Sequence, residues 1–126
     1  MNEKIPESIN QNIEPKENFD SRLKFSLEPG SFSEIFLDDT KIGDISFSDC
    51  GDYYSMDIIL IFEKFRHKGF GKAIYKKLAN SLDKPLRSGN QLSEDSEPLW
   101  KSLVSEGFAK KIGTIASGRG LYEWIK

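Results

Sequence analysis

Apolar residues are sparse at the start of the chain and become periodic from about residue 22 onward. In residues 1–21 the isoleucines recur every four positions, at Ile5, Ile9 and Ile13. This spacing fits a transient amphipathic helix or a docking arm, but Pro6 and Pro15 interrupt it. We therefore expect a disordered tail over residues 1–21 and a single domain over residues 22–126.

Alternating apolar and polar residues in the first half of this domain predict four strands. The four segments are Leu23–Leu27, Ser33–Leu37, Lys41–Phe47 and Tyr53–Phe62. Turns are expected between them at Pro29–Gly30, at the hairpin Asp38–Thr40 and at Asp49–Asp52. Every residue from Ile58 to Phe62 is apolar, which predicts a central strand that is buried on both faces.

A change of period after Gly71 marks the first helix. Apolar residues follow at spacings of three and four up to Leu82, which predicts an amphipathic helix. The remaining segments are a strand at Leu86–Ser88, a helix at Ser93–Ser105 and a closing hairpin of Phe108–Ile112 and Leu121–Ile125. This order predicts an α+β fold, with about seven strands in a largely antiparallel sheet and two main helices.

Length and composition limit the classes of function. The chain has 126 residues, of which 37% are hydrophobic, so it can build one core. A net charge of -2 argues against a nucleic-acid-binding protein, and the longest apolar stretch is too short to cross a bilayer. The single cysteine, Cys50, can form no internal disulfide and bind no metal alone, so we expect no metal site and a reducing, cytoplasmic location.

The charge is unevenly distributed along the chain. The segment 64–77 contains six cations and no acid: Lys64, Arg66, Lys68, Lys72, Lys76 and Lys77. Without those six, the net charge of -2 becomes -8. The segment is either a solvated lysine-rich helix face or an anion site in an acidic protein.

Two glycines beside these cations favour the anion site. Gly69 and Gly71 lie where the apolar strand ends and the helix begins. Backbone N–H groups in the first turn of a helix lack internal partners, and the helix dipole adds partial positive charge there. Glycines let a diphosphate approach those amides closely. The pattern fits neither common nucleotide-binding loop, because the Gly-x-x-x-x-Gly-Lys-Ser/Thr and Gly-x-Gly-x-x-Gly motifs are absent.

The segment Arg66–Ala73 reads Arg-x-x-Gly-x-Gly and resembles the acetyl-CoA-binding motif of the GNAT superfamily of N-acetyltransferases. The similarity extends over roughly Leu23–Ile125, and the helix that runs into Gly107-Phe108 looks like the second signature of that family. The resemblance implies a GNAT-like fold with acetyl-CoA as cosubstrate. It implies cofactor contacts at Ile61, Phe62, Arg66, His67, Lys68, Gly69, Phe70, Gly71, Lys72 and Ser96.

The implied roles differ along this set. The backbone of Ile61 and Phe62 would pair with the pantetheine arm, and the amides of residues 67–72 would hold the pyrophosphate. Ser96 stands where family members often carry an asparagine that contacts pantetheine.

The sequence departs from the family pattern in two places. Leu103 occupies the position where the family often has a tyrosine that protonates the leaving thiolate, and leucine can donate no proton. In addition, only Glu28–Phe32 separates the first two predicted strands, so the two helices that usually shape the acceptor pocket are reduced or absent. The resemblance therefore implies an open acceptor side.

The implied activity is transfer of an acetyl group to an amine by direct attack on the thioester. Asp57 is the candidate base that takes the proton of the amine; the alternative is an ordinary solvated acid. The acceptor would be a small-molecule or peptide amine, and the oligomeric state stays open. The alternatives are a GNAT-like scaffold that binds acetyl-CoA without transfer, and an interaction module whose basic helix docks on an acidic partner.

Overall fold

A computed structural model describes residues 21–89 and 96–125 of the chain. The tail predicted over residues 1–21 lies almost wholly outside this range, and so does the predicted start of the second helix at Ser93. Seven strands form one sheet in the order β1-β2-β3-β4-β5-β7-β6. The strands are β1 Leu23–Lys24, β2 Ser33–Leu37, β3 Thr40–Asp49, β4 Tyr54–Ile61, β5 Leu86–Arg87, β6 Ala109–Thr114 and β7 Gly120–Trp124.

All neighbouring strands are antiparallel except β4 and β5, which are parallel. The predicted α+β class and largely antiparallel sheet are confirmed. The first strand is shorter than predicted. The Ser26 N–H donates to the Ser33 hydroxyl at 2.8 Å, so a side-chain oxygen takes the place of the backbone carbonyl that would continue the strand pairing. The hairpin between β2 and β3 uses Asp38 in the left-handed region, with φ 56°, and its carboxylate pairs with Arg22.

Two helices cover one face of the sheet. Helix α1 spans Phe70–Ser81 and helix α2 spans Ser96–Ser105. They pack closely, because a Cβ at Gly71 would lie 3.3 Å from the Leu99 side chain. Trp100 is fully buried in the core between Tyr75 and Tyr122.

Apart from Ser21 and Arg22, which are helical, the described residues place no helix on the other face of the sheet. Residues 25–32, which connect β1 to β2, contain none, as the sequence predicted. Within the described ranges, no helix has both the length and the apolar character needed to span a membrane.

Strand β4 is central in the sheet but is paired on only part of one side. It pairs with β3 along its length, whereas among the described residues β5 meets it only at Tyr54 and Ser55. Gly89 still lies against β4, because a Cβ there would be 2.2 Å from the Met56 carbonyl oxygen. The expected burial of the second half of β4 on both faces is wrong, since Ile58 is 43% exposed and Leu60 is 41% exposed.

Candidate functional site

An open cleft of about 710 Å³ runs along the unpaired edge of β4. Its walls are the second half of β4, the turn that follows it and the first turns of both helices. The lining residues are Ile58, Ile59, Leu60, Ile61, Phe65, Arg66, His67, Gly69, Phe70, Gly71, Lys72, Ser96, Pro98 and Leu99. A mostly apolar groove with a few polar groups at one end is typical of a cofactor site.

The turn between β4 and α1 forms the polar end of this cleft. A short 3-10 helix at Glu63–Phe65 leads into His67, which has φ 61°, and then into Gly69, which has φ 88°. The Ala73 N–H donates to the Gly69 carbonyl at 3.1 Å, so the helical hydrogen bonds begin there. Residues 67–69 are exposed, and no described residue accepts a hydrogen bond from their amides. We call residues 66–72 the anion corner.

The edge of β4 offers backbone groups to an extended ligand. The Phe62 N–H donates to the Ile42 carbonyl of β3 at 2.8 Å. Because backbone polar groups alternate in direction along a strand, Ile59 and Ile61 present theirs to the open side. The cleft lining includes Ile61 but not Phe62, so pairing with an extended ligand would involve Ile59 and Ile61 rather than Phe62.

The cations of the anion corner are partly engaged by the protein. Arg66 donates its Nε to the Ile61 carbonyl at 2.7 Å, which ties the turn to the end of β4. Lys72 donates its Nζ to the Ser102 hydroxyl at 2.8 Å and forms an ion pair with Glu106. Lys68 is exposed and is not among the residues that line the cleft.

Glu106 was not singled out from the sequence. It also lies 3.9 Å from the Lys76 amine, so one carboxylate serves two lysines of α1. The available signal was the polar pair at positions 102 and 106, which share a face of α2 at a spacing of four residues. Nothing in that spacing indicated which lysines the pair would meet.

Asp57 lies at a β-bulge beside the cleft. Ser46 pairs with Ile58 and Phe47 with Met56, which leaves Asp57 without a partner across the ladder. Its carboxylate accepts a hydrogen bond of 2.5 Å from the Ser48 hydroxyl and is otherwise exposed. Asp57 does not line the cleft, although Ile58 beside it does.

The first turn of α2 is fixed to strand β7. Glu97 accepts hydrogen bonds from the Gly120 N–H at 2.8 Å and from the Tyr122 hydroxyl at 2.9 Å. The Gly120 amide, followed by the Tyr122 hydroxyl, lowers the pKa of Glu97. Burial, and then the Glu97 hydrogen bond, raises the pKa of Tyr122 to about 12. This contact holds Ser96, Pro98 and Leu99 against the cleft.

Other polar chemistry near the cleft is limited. Leu103 is fully buried, so the position of the family tyrosine offers no proton. Cys50 lies exposed in the turn after β3, as predicted. In the ranges 21–89 and 96–125, no group of three His, Cys, Asp or Glu residues could hold a metal ion.

Comparison with solved structures gives several matches to acetyltransferases. The PaiA N-acetyltransferase of Thermoplasma acidophilum, solved in complex with coenzyme A, matches with a TM-score of 0.53 and 18% identity, over 75% of this chain and 60% of that one. A protein from the GNAT family of Bacteroides thetaiotaomicron matches with a TM-score of 0.51 and 19% identity, over 73% and 58%. An acetyltransferase of Thermus thermophilus matches with a TM-score of 0.50 and 15% identity, over 75% and 62%.

This chain therefore spans about three-fifths of the length of the structures that it matches. Neither protein-family models nor curated proteins gave a match. The structural likeness agrees with the mixed seven-stranded sheet, the partly paired β4 and the two helices on one face. The chain has the fold of the GNAT acetyltransferases.

Proposed function

We propose that this protein binds acetyl-CoA in the cleft beside β4 and transfers the acetyl group to an amine. The observation that carries the proposal is the exposed turn at residues 66–69, at the mouth of an apolar groove whose wall is a strand edge that the described residues leave unpaired. One end suits phosphates and the other suits an extended, largely apolar arm. The structural neighbour solved in complex with coenzyme A supports the same ligand.

Each part of the cofactor would meet a different part of the cleft. The amides of residues 67–72 would hold the pyrophosphate, with Arg66, His67 and Lys68 adding positive or polar groups around it. The pantetheine arm would lie along β4 and pair with the backbone of Ile59 and with the N–H of Ile61, whose carbonyl already accepts from Arg66. Ser96, which lines the opposite wall, would contact the arm through its hydroxyl.

The chemistry needs an amine that has lost its proton. Asp57 would accept that proton, because it lies beside the cleft, next in the sequence to the lining residue Ile58. Backbone N–H groups of β4 would stabilise the oxyanion that forms as the amine attacks. Since Leu103 is buried and has no proton to give, the thiolate would take its proton from water.

A scaffold that binds acetyl-CoA without transfer is the second candidate. Leu103 and the helix-free face of the sheet favour it, because the described residues supply neither the family proton donor nor the usual acceptor walls. The third possibility, docking of the basic helix on an acidic partner, is less well supported. Lys72 and Lys76 face Glu106, and Lys77 donates to the Leu23 carbonyl, so these charges are turned toward the protein.

Two measurements separate these candidates. Calorimetric titration with acetyl-CoA should give saturable binding with a one-to-one ratio, and no detectable binding would rule out both the enzyme and the scaffold. Release of free thiol from acetyl-CoA over a panel of amines then distinguishes the enzyme, which turns over, from the scaffold, which does not. The cofactor without any amine is the blank that corrects for thioester hydrolysis.

A further inference from the structure

A row of polar side chains crosses the helix-free face of the sheet. Strand pairing aligns Ser48 of β3 with Ser55 of β4, Ser55 with Arg87 of β5, and Arg87 with Glu123 of β7. Partners opposite each other in a sheet project from the same face. These four side chains therefore lie side by side across four strands.

This face is the one opposite the helices. Neighbouring residues in a strand point to opposite faces. The residues next to the row, Phe47, Met56, Leu86 and Tyr122, are all buried in the core with the helices. The polar row consequently faces outward, where the described chain supplies no covering helix.

Arg87 is held rigidly in this row with part of its guanidinium unused. Its Nε donates to Glu123 at 2.9 Å, and its guanidinium carbon lies 3.8 Å from the centre of the Tyr53 ring. No described residue accepts a hydrogen bond from the two terminal nitrogens of Arg87. A planar guanidinium fixed in this way matches a carboxylate well.

Asp57 brings the opposite charge to the same face. Its carboxylate is hydrogen bonded to the Ser48 hydroxyl, and Ser48 belongs to the row. No described cation lies within ion-pair distance of Asp57, in contrast to Glu123, which has Arg87. Asp57 is two residues beyond Ser55, so strand spacings place its backbone about 8 Å from that of Arg87.

We propose that the acceptor is a small amine that carries its own carboxylate, such as a free amino acid. Its ammonium group would bind Asp57 and its carboxylate would bind the terminal nitrogens of Arg87. This inference rests on the proposed acetyl transfer and names the class of molecule that the same site accepts. The acceptor would reach the thioester past the edge of β4 beyond Met56, where the described residues of β5 no longer pair with it.

The reaction balances without a further reactant. The ammonium loses one proton to Asp57, and the neutral nitrogen forms a bond to the acetyl carbon while the carbon–sulfur bond breaks. The nitrogen then loses its second proton. One of the two protons ends on the coenzyme A sulfur and the other in solvent.

Matched acceptor pairs test the carboxylate. Thiol release is measured for alanine against alaninamide, for phenylalanine against phenylalaninamide, and for lysine against 1,5-diaminopentane. We expect the carboxylate-bearing member to have a kcat/KM about tenfold to hundredfold higher, because a charged, bidentate contact is lost in the other. Equal values within all three pairs would overturn the proposal.

Arg87→Gln should abolish this preference by lowering the kcat/KM of the carboxylate-bearing member to about that of its amide or diamine. Arg87→Lys should retain part of the preference, because it keeps the charge but loses the planar pair of donors. Lys110→Gln is the matched control, since it removes a cation that lies 4.0 Å from the same Glu123 but at the outer strand. The melting temperature shows that each variant is folded, and the acetyl-CoA affinity shows that each variant still binds the cofactor.

The outcomes also separate this inference from the proposed function. A protein that does not bind acetyl-CoA contradicts both. If acetyl-CoA binds but no carboxylate-bearing amine is acetylated, binding of the same amino acids is measured by calorimetry with coenzyme A present, and absence of binding overturns the inference alone. A carboxylate preference that survives in Arg87→Gln would also overturn it.

Discussion

The anion corner offers a test in which charge alone changes. His67 is exposed, lines the cleft and has φ 61°, a conformation that aspartate and asparagine adopt more readily than most residues. Replacement by either should therefore leave the backbone of the turn intact. His67→Asp places a carboxylate beside the proposed pyrophosphate, whereas His67→Asn has the same shape without the charge.

The expected difference follows from Coulomb's law. A carboxylate roughly 6 Å from a diphosphate with two charges is repelled by about 1.4 kcal/mol at the dielectric constant of water and by about 2.8 kcal/mol at half that value. His67→Asp should therefore bind acetyl-CoA roughly 10-fold to 100-fold more weakly than His67→Asn. The difference in affinity between the two variants should shrink as salt is added, because both charges are near the surface.

Calorimetric titration of both variants gives the two dissociation constants, and thermal melting checks that their stabilities agree. Equal affinities at low salt would refute the placement of the pyrophosphate. This pair is a cleaner test than a substitution at Gly71. The side chain of a residue at position 71 would point at Leu99, so a loss of affinity there would mix charge with packing.

Three further predictions concern residues that contact the strands and helices forming the cleft. Glu106→Gln should strengthen acetyl-CoA binding about twofold to fourfold in calorimetry, because it removes the carboxylate that pairs with Lys72. The free energy of unfolding should change little. Tyr122→Phe should lower the free energy of unfolding by about 1–2 kcal/mol near neutral pH in urea titrations. The pKa of Tyr122 is raised to about 12, so this stabilisation is complete below about pH 10 and is lost as the pH rises through 12. The difference in unfolding free energy between the two proteins should therefore narrow in that range. Gly43→Ala should lower the free energy of unfolding in urea titrations by about 3 kcal/mol or more, because its Cβ would lie 1.9 Å from a β4 carbonyl oxygen.

Matched controls accompany these three changes. Asp52→Asn removes an exposed acid in the turn before β4 and should leave acetyl-CoA affinity unchanged. Tyr53→Phe removes a hydroxyl with no described partner, and Gly113→Ala adds a methyl group with nothing within 4 Å, so both should be nearly neutral. Weaker acetyl-CoA binding in Glu106→Gln would contradict the role given to Glu106. A difference in unfolding free energy between Tyr122→Phe and the unchanged protein that stays constant from pH 9 to 12 would contradict the role given to the Tyr122 hydroxyl.

Local signals were enough to predict the order of elements and the position of the anion corner. The change from alternating to helical spacing after Gly71 places α1, and glycines beside cations mark the turn before it. Both signals lie within a few residues of each other, so no distant contact is needed to interpret them. The hairpin between β2 and β3 was predictable for the same reason.

Features set by distant contacts were not predictable. Ile58 and Leu60 look like residues of a buried strand, yet they are exposed because they project from the face of the sheet that the described helices do not cover. The partner of Lys72 is Glu106, which lies 34 residues away in the sequence. A run of apolar residues shows that a strand is central, but it does not show whether a neighbour pairs with it over its whole length.

The central claim is that the anion corner and the open edge of β4 bind acetyl-CoA. Amide proton–nitrogen NMR spectra of the isotope-labelled protein, recorded during titration with acetyl-CoA, test this claim residue by residue. We expect the largest changes in amide chemical shift at residues 67–72 and at Ile59 and Ile61, and small changes on β6. Saturating shifts confined to other surfaces, or no shifts at millimolar cofactor, would contradict it.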